Sequence, residues 1–208
     1  FITRVAKLPL DYQPGTQWEY SIASDLQGLL VERLSGVPFA QFVEARIFQP
    51  LGMKDTGFAV PEAKRARLAT TYQPDEHKVL QPMWADDQPA GTPVMPSGGG
   101  GLFSTAPDYW HFAQMLLDGG SFQGRRLRAP STVRLMRANH LPDSFMVMSN
   151  GTRASPLGTG VGFGIDWAVW LDPKATGAPV GAGTVSWGGS AGTWFWIDPA
   201  TDLYFIGM

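Results

Sequence analysis

The chain has 208 residues, with 16 Lys+Arg against 18 Asp+Glu, a formal net charge of −2, and charged residues make up only 16% of it. Near neutrality removes the electrostatic footprint that nucleic acid or an anionic membrane surface requires, and no apolar run approaches the ~20 residues of a membrane span. With no cysteine, disulfides, thiolate metal sites and a cysteine nucleophile are excluded, while the compartment stays open.

Residues 1–10 lack the ordered charged, apolar and small-residue regions of a secretory signal. Pro14-Gly15 marks a turn, after which Ile22, Leu26, Leu29, Leu30 and Leu34 recur at helical spacing through 21–34. Gly36 supplies the left-handed residue that ends a helix, and Pro38 suits the first turn of the next. Phe39, Phe42, Val43 and Ile47 line that second helix, which Pro50-Leu51-Gly52 is expected to stop. Residues 57–101 are predicted to be loop-rich, because Pro74, Pro82, Pro89, Pro93 and Pro96 interrupt any long element and glycines 98–101 close the stretch. Such a passage is either a lid or a set of ordered binding loops.

A helix follows, capped by Ser104 or Thr105, with Pro107 and Asp108 in its first turn. Its buried stripe is Tyr109, Phe112, Met115 and Leu116, and Gly119-Gly120 ends it. A shorter helix is predicted over 131–138. From Val161 the period changes to two: 161–170 alternates large with small or polar residues, and 183–187, 193–197 and 203–207 continue the strand pattern. Helices first and consecutive strands afterwards predict an α+β fold with an antiparallel sheet flanked by helices. A helical and loop-rich portion (1–150) and a C-terminal portion of antiparallel strands (151–208) belong to one fold and are not independent domains.

Gly188-Gly-Ser190-Ala-Gly192 matches G-x-S-x-G, but a nucleophile elbow needs a helix after the serine and a histidine later in the chain. Here a strand follows, and His77, His111 and His140 all precede Ser190. The three histidines have no metal spacing, and surface or capping roles suit them. Glycines 98–101 lack the Lys-Ser/Thr of a phosphate loop, so no nucleotide site and no cofactor is expected. Two elements remain. Tyr20 stands where a loop enters a helix, either as an aromatic packing residue or projecting into a cleft. Trp187-Gly188-Gly189-Ser190 stands at a strand end, either as a bulge with a packing tryptophan or as a backbone edge that a ligand can approach.

Three collinear blocks settle the order of these elements. PGTQWEYSIASDLQGLLVERLSG (14–36) with FAQFVEARIFQPLGMKDTGF (39–58), SGGGGLFSTAPDYWHFAQMLLDGG (97–120) and SWGGSAGTWFWIDP (186–199) resemble the serine β-lactamase and penicillin-binding-protein-like hydrolases, above all family VIII carboxylesterases and class C β-lactamases. The resemblance implies a β-lactamase/transpeptidase-like fold and three motifs: a Ser-x-x-Lys nucleophile, a Tyr-x-Asn-like motif and a Lys-Thr-Gly-like strand. Tyr20 matches the tyrosine, with Ile22 in place of the asparagine. Trp187-Gly188-Gly189 matches the strand motif without its lysine, as in the esterase branch. No serine here is followed three residues later by lysine; Ser131 with Arg134 is the nearest miss. In the family that motif lies upstream of the tyrosine, so the nucleophile is expected on a preceding segment or a complementary chain.

What the resemblance implies is an ester hydrolase working through an acyl-enzyme. Tyr20 would take the serine proton, the backbone N–H of Ser190 would serve as one oxyanion donor, and Gly188 and Gly189 would keep the strand edge bare. Trp187 would wall the acyl pocket in favour of short, uncharged esters. A free phenol titrates near ~10, so a tyrosine base predicts activity that rises toward alkaline pH. β-Lactamase or D-Ala peptidase activity, or a non-catalytic binding relative, stand as alternatives. The implied partners are a small-molecule ester and the polypeptide bearing the nucleophile; alone, the chain is expected to be insoluble or to pair with a second copy.

Overall fold

Residues 1–83, 95–146 and 155–208 are described by a computed structural model. A single helical turn, α1 (Ile2–Val5), precedes an irregular stretch that leads into α2 (Ala23–Ser35). α2 ends as its sequence dictates, at Gly36 with φ +69. Gly28 is buried on α2 because Phe39 lies against it: a methyl group there would meet the Phe39 ring at 3.3 Å.

The next helix is less regular than its apolar spacing suggests. α3 (Phe39–Val43) passes through a π-helical turn (Glu44–Phe48) into α4 (Gln49–Leu51), and the stop is Gly52 at φ +70. Pro50 does not end the run. It sits at the start of α4, directly after the π turn.

The loop-rich passage contains a 3-10 turn (Glu62–Arg67) and a hairpin that the prolines conceal, β1 (Thr71–Pro74) with β2 (Leu80–Met83). Pro74 pairs with Leu80 and Pro82 with Tyr72 in a two-stranded ribbon, whose outer edges need no donor. Asp75 closes the turn by accepting from the N–H groups of His77 and Val79, both at 2.9 Å. Pro89 and Pro93 lie outside the described residues.

α5 (Ala106–Leu117) begins where Thr105 Oγ1 accepts from Asp108 N at 3.3 Å. Its buried residues include Ala113, Met115 and Leu116, while Tyr109 turns its ring to Phe195, 5.2 Å between centroids. A small hairpin, β3 (Ser121–Phe122) with β4 (Arg125–Arg126), leads to α6 (Pro130–Met136).

Five antiparallel strands form the sheet in the order β5 (Val161–Phe163), β6 (Ala168–Trp170), β7 (Val185–Gly188), β8 (Trp194–Asp198), β9 (Leu203–Gly207). The alternating stretch 161–170 is thus two strands folded back on each other, reversing at Asp166 with φ +61. A one-turn helix, α7 (Pro173–Thr176), sits between β6 and β7. The register aligns Val169, Val185 and Ile197, all fully buried, and this row packs with Leu51, Leu116 and Val133 from α4, α5 and α6. The core therefore lies between one sheet face and the helices, the α+β arrangement expected. Residues 147–154, which include the 150/151 division, lie outside the described residues. His140 N donates to Phe163 O at 2.8 Å and ties the segment after α6 to β5.

Candidate active site

The site begins with a strand that outruns its neighbour. β6 pairs with β7 only at Val185 and Ser186, whereas Trp187 and Gly188 are paired with Phe195 and Trp194 of β8 alone. One edge of Trp187-Gly188 is therefore free of strand pairing.

Tyr20 reaches that edge from the loop entering α2. Its ring stacks on Trp187, with centroids 6.1 Å apart and planes inclined by 23°, and it remains 68% exposed. Ser21 Oγ accepts from Ala23 N at 3.3 Å and helps fix the turn into the helix. Ile22 occupies the N-cap position and is exposed.

Two further rings belong to the same group. Phe163 stands edge-on to Trp187 at 5.8 Å, and Trp18 stands edge-on to Phe163 at 5.3 Å. Neither follows from the motif pattern. Trp18 lies in the irregular stretch two residues before Tyr20, where no periodicity marks it. Phe163 carries no signal either, because its role depends on a strand pairing far along the chain.

Beyond the edge, residues 189–193 form the β7–β8 connection. Gly189 N donates to Thr193 O at 2.7 Å, and Gly192 N to Gly189 O at 3.0 Å. A methyl group at Gly189 would lie 2.5 Å from Thr193 Oγ1 and 3.7 Å from Thr193 O, so it would fit only if the Thr193 hydroxyl turned away. At Gly188 a methyl group would meet only Thr193 O at 3.8 Å, and the bare position leaves the edge open. Ser190 is exposed in the turn, and its N–H donates to no acceptor among the described residues. Tyr20, Trp187 and Gly188 border an open cleft of about 590 Å³, shared with Trp170, Trp194 and Trp196 and free of charged side chains. Gly189 and Ser190 lie in the turn beyond it.

The glycine run 98–101 lies against the start of α2. Ser97 Oγ donates to the Asp25 carboxylate, and the backbone of Gly98 lies against the Ser24 carbonyl. This passage therefore supports the helix that follows the tyrosine.

The remaining candidates fall elsewhere. Burial pushes the Tyr109 phenol well above its ordinary range, so that ring stays neutral in the packing around Phe195. His77 is exposed beside Glu76, and His140 Nε2 lies 2.8 Å from Leu135 O. His111 corrects the surface expectation: its half-buried ring packs between Trp110 and Phe122, at 4.9 and 4.8 Å, because its helix face turns inward. Among the described residues no group of side chains could hold a metal ion.

The family profile described as Beta-lactamase matches residues 1–208. Esterase EstB of Burkholderia gladioli is 33% identical over 218 residues, covering 97% of this chain and 52% of that protein. Lovastatin esterase of Penicillium rubens is 31% identical over 224 residues, covering 96% of this chain and 52% of that protein. The solved structure of EstCE1, described as a hydrolase with promiscuous acyltransferase activity, superposes with a TM-score of 0.79 at 28% identity, over 97% of this chain and 53% of that one. The chain spans about half the length of the curated relatives it matches.

Proposed function

Since the chain belongs to the β-lactamase family, we propose that it is the portion of a serine esterase carrying the tyrosine and strand motifs, and that the enzyme cleaves esters with short, uncharged acyl groups through an acyl-enzyme. The observation that carries this reading is the Tyr20 ring stacked on Trp187 at the unpaired edge of β7. The esterase names of two relatives that match nearly the whole chain support it.

In this mechanism a serine hydroxyl on polypeptide outside this sequence attacks the ester carbonyl, and the Tyr20 phenol oxygen takes the proton as general base. The alcohol leaves with a proton returned to it, and water then attacks the acyl-enzyme along the same path in reverse. The N–H of Ser190, which has no partner among the described residues, donates to the carbonyl oxygen as negative charge develops on it. One such donor is worth about 3–4 kcal/mol in the transition state. The indole of Trp187 stands where a lysine would hold a substrate carboxylate, which disfavours β-lactams and favours neutral acyl groups.

The test uses the complete enzyme, nucleophile included, with p-nitrophenyl esters of increasing acyl length and with nitrocefin. Ester turnover should exceed nitrocefin turnover, fall with chain length and rise toward alkaline pH. Tyr20→Phe should lower kcat by about 10²–10⁴. Nitrocefin turnover above ester turnover, or a Tyr20→Phe enzyme of undiminished kcat, overturns the assignment.

A further inference from the structure

A second cleft, of about 250 Å³, is lined by Gln27, His140, Phe163, Gly164, Ile165 and Asp166. It shares no lining residue with the first, but two contacts link the surroundings of the two. Phe163 is the ring that stands edge-on to Trp187, and the Asp166 carboxylate accepts from Ser24 Oγ at 3.4 Å in the first turn of α2, just past Tyr20.

The turn that presents Asp166 is held from several sides. Gly164 N donates to Trp167 O at 2.9 Å, while Ile165 N and Trp167 Nε1 both donate to Met136 O, at 2.9 and 2.8 Å. A methyl group at Gly164 would stand 2.7 Å from Trp167 Nε1, so the reversal is built around glycine. Asp166 itself is held at φ +61, a left-handed conformation that costs a residue with a Cβ and persists only where the surroundings enforce it.

The side chains of this cleft offer mostly acceptors, with the Gln27 amide able both to donate and to accept. Leu135 O can only accept, so His140 Nε2, 2.8 Å away, donates to it and holds the ring in place. The Asp166 carboxylate also only accepts, with one oxygen engaged by Ser24. Asp166 is the single carboxylate of the lining, with the His140 imidazole across from it, and Ile165 and Phe163 supply apolar surface beside it. Acceptors, one negative charge and an apolar flank suit a substituent that donates hydrogen bonds, is positive and sits on a short carbon chain.

Resting on the esterase reading, we propose that this cleft binds the alcohol portion of the ester and selects alcohols bearing an ammonium group. An ester then lies across the shared start of α2, with its acyl group toward Trp187 and its alcohol toward Asp166.

The test compares two propionate esters in the complete enzyme, the 2-(dimethylammonio)ethyl ester and the 3-methylbutyl ester, which match in shape and differ in charge. Both give the same acyl-enzyme, so the ratio of their kcat/KM values reports alcohol recognition together with leaving-group reactivity. Asp166→Asn removes the charge, keeps an acceptor for Ser24 and tolerates the left-handed backbone. Intrinsic reactivity cancels when the two enzymes' ratios are compared. The ammonium preference should fall about fivefold in Asp166→Asn, the upper range for a solvent-accessible ion pair. A change below twofold overturns the subsite.

A second measurement separates this failure from failure of the esterase reading. 2-(Dimethylamino)ethanol and 3-methylbutanol are titrated against the protein, following the Gly164 and Ile165 amide resonances. Shifts with the amino alcohol that vanish in Asp166→Asn support the subsite even if no ester is turned over. Shifts that are equal for both alcohols, or absent, overturn it.

Discussion

Gly98→Ala is the substitution whose cost the structure defines most directly. Gly98 has an ordinary negative φ, so alanine is acceptable to its backbone, and the whole penalty comes from space. The added methyl group would overlap the Ser24 carbonyl oxygen, stand 2.8 Å from the Ser24 carbonyl carbon and 3.3 Å from Gly28 N. All three atoms are backbone of α2, so no side chain can rotate away. Relief requires the glycine run and the helix to separate by roughly an ångström, which is overpacking at a cost of about 1–3 kcal/mol or more. At Gly100, whose φ is also not positive, a methyl group would meet nothing within 4 Å, so Gly100→Ala is the matched control and should be nearly neutral. Urea denaturation of the two variants beside the parent chain measures the difference, and near-UV circular dichroism reads the Tyr20–Trp187 stack in the folded state. Gly98→Ala should lose stability and alter the aromatic signal, while Gly100→Ala should do neither. Equal stabilities within about 0.5 kcal/mol would refute the close packing of this loop on α2.

The Asp108 carboxylate accepts from Asp55 N at 2.6 Å and Thr56 Oγ1 at 2.8 Å in a buried position. Asp108→Ala should therefore cost about 3 kcal/mol in chemical denaturation, against almost nothing for the exposed Asp118→Ala. Hydrogen bonds from Arg67 and then Lys64 hold the Asp55 carboxyl down at about 2. A depressed folded pKa contributes stability that is complete above the ordinary carboxylate range and is lost as pH falls from about 4 toward 2. Thermal midpoints of Asp55→Asn and the parent should converge across that window, and parallel curves would contradict the assignment. Trp187→Ala removes the partner of both Tyr20 and Phe163. On the proposed function it should broaden acyl-length tolerance in the complete protein while weakening the near-UV aromatic signal, and an unchanged chain-length profile would remove the indole from the acyl wall.

Local rules were enough for much of the fold. The helix stops at Gly36 and Gly52, the Thr105 cap and the β8–β9 hairpin are all written in a few adjacent residues. The β1–β2 hairpin was hidden because prolines at 74 and 82 argue against strands, and only their place in an isolated ribbon makes them harmless. The π turn at Glu44–Phe48 was hidden for the opposite reason, since its apolar spacing suits an ordinary helix. In the site, Tyr20 and Trp187 were legible through motif order, but their contact was not, because it joins positions far apart in the chain. Phe163 and Asp166 were illegible altogether. Their placement depends on 161–170 folding back at Asp166, and a period-two pattern reads the same whether the strand continues or reverses.

The stretch of β7 that outlasts β6 also bears on how the chain behaves in company. Unclaimed main-chain donors and acceptors invite any extended peptide to add itself to the sheet, the usual beginning of intermolecular aggregates. Trp187 sits on that stretch with Tyr20 laid over it and Phe163 against it. A bulky aromatic lock leaves room for a small molecule while obstructing the flat approach of another polypeptide. The residue proposed to wall the acyl pocket would then double as a guard on solubility, which limits how freely evolution or engineering can shrink it.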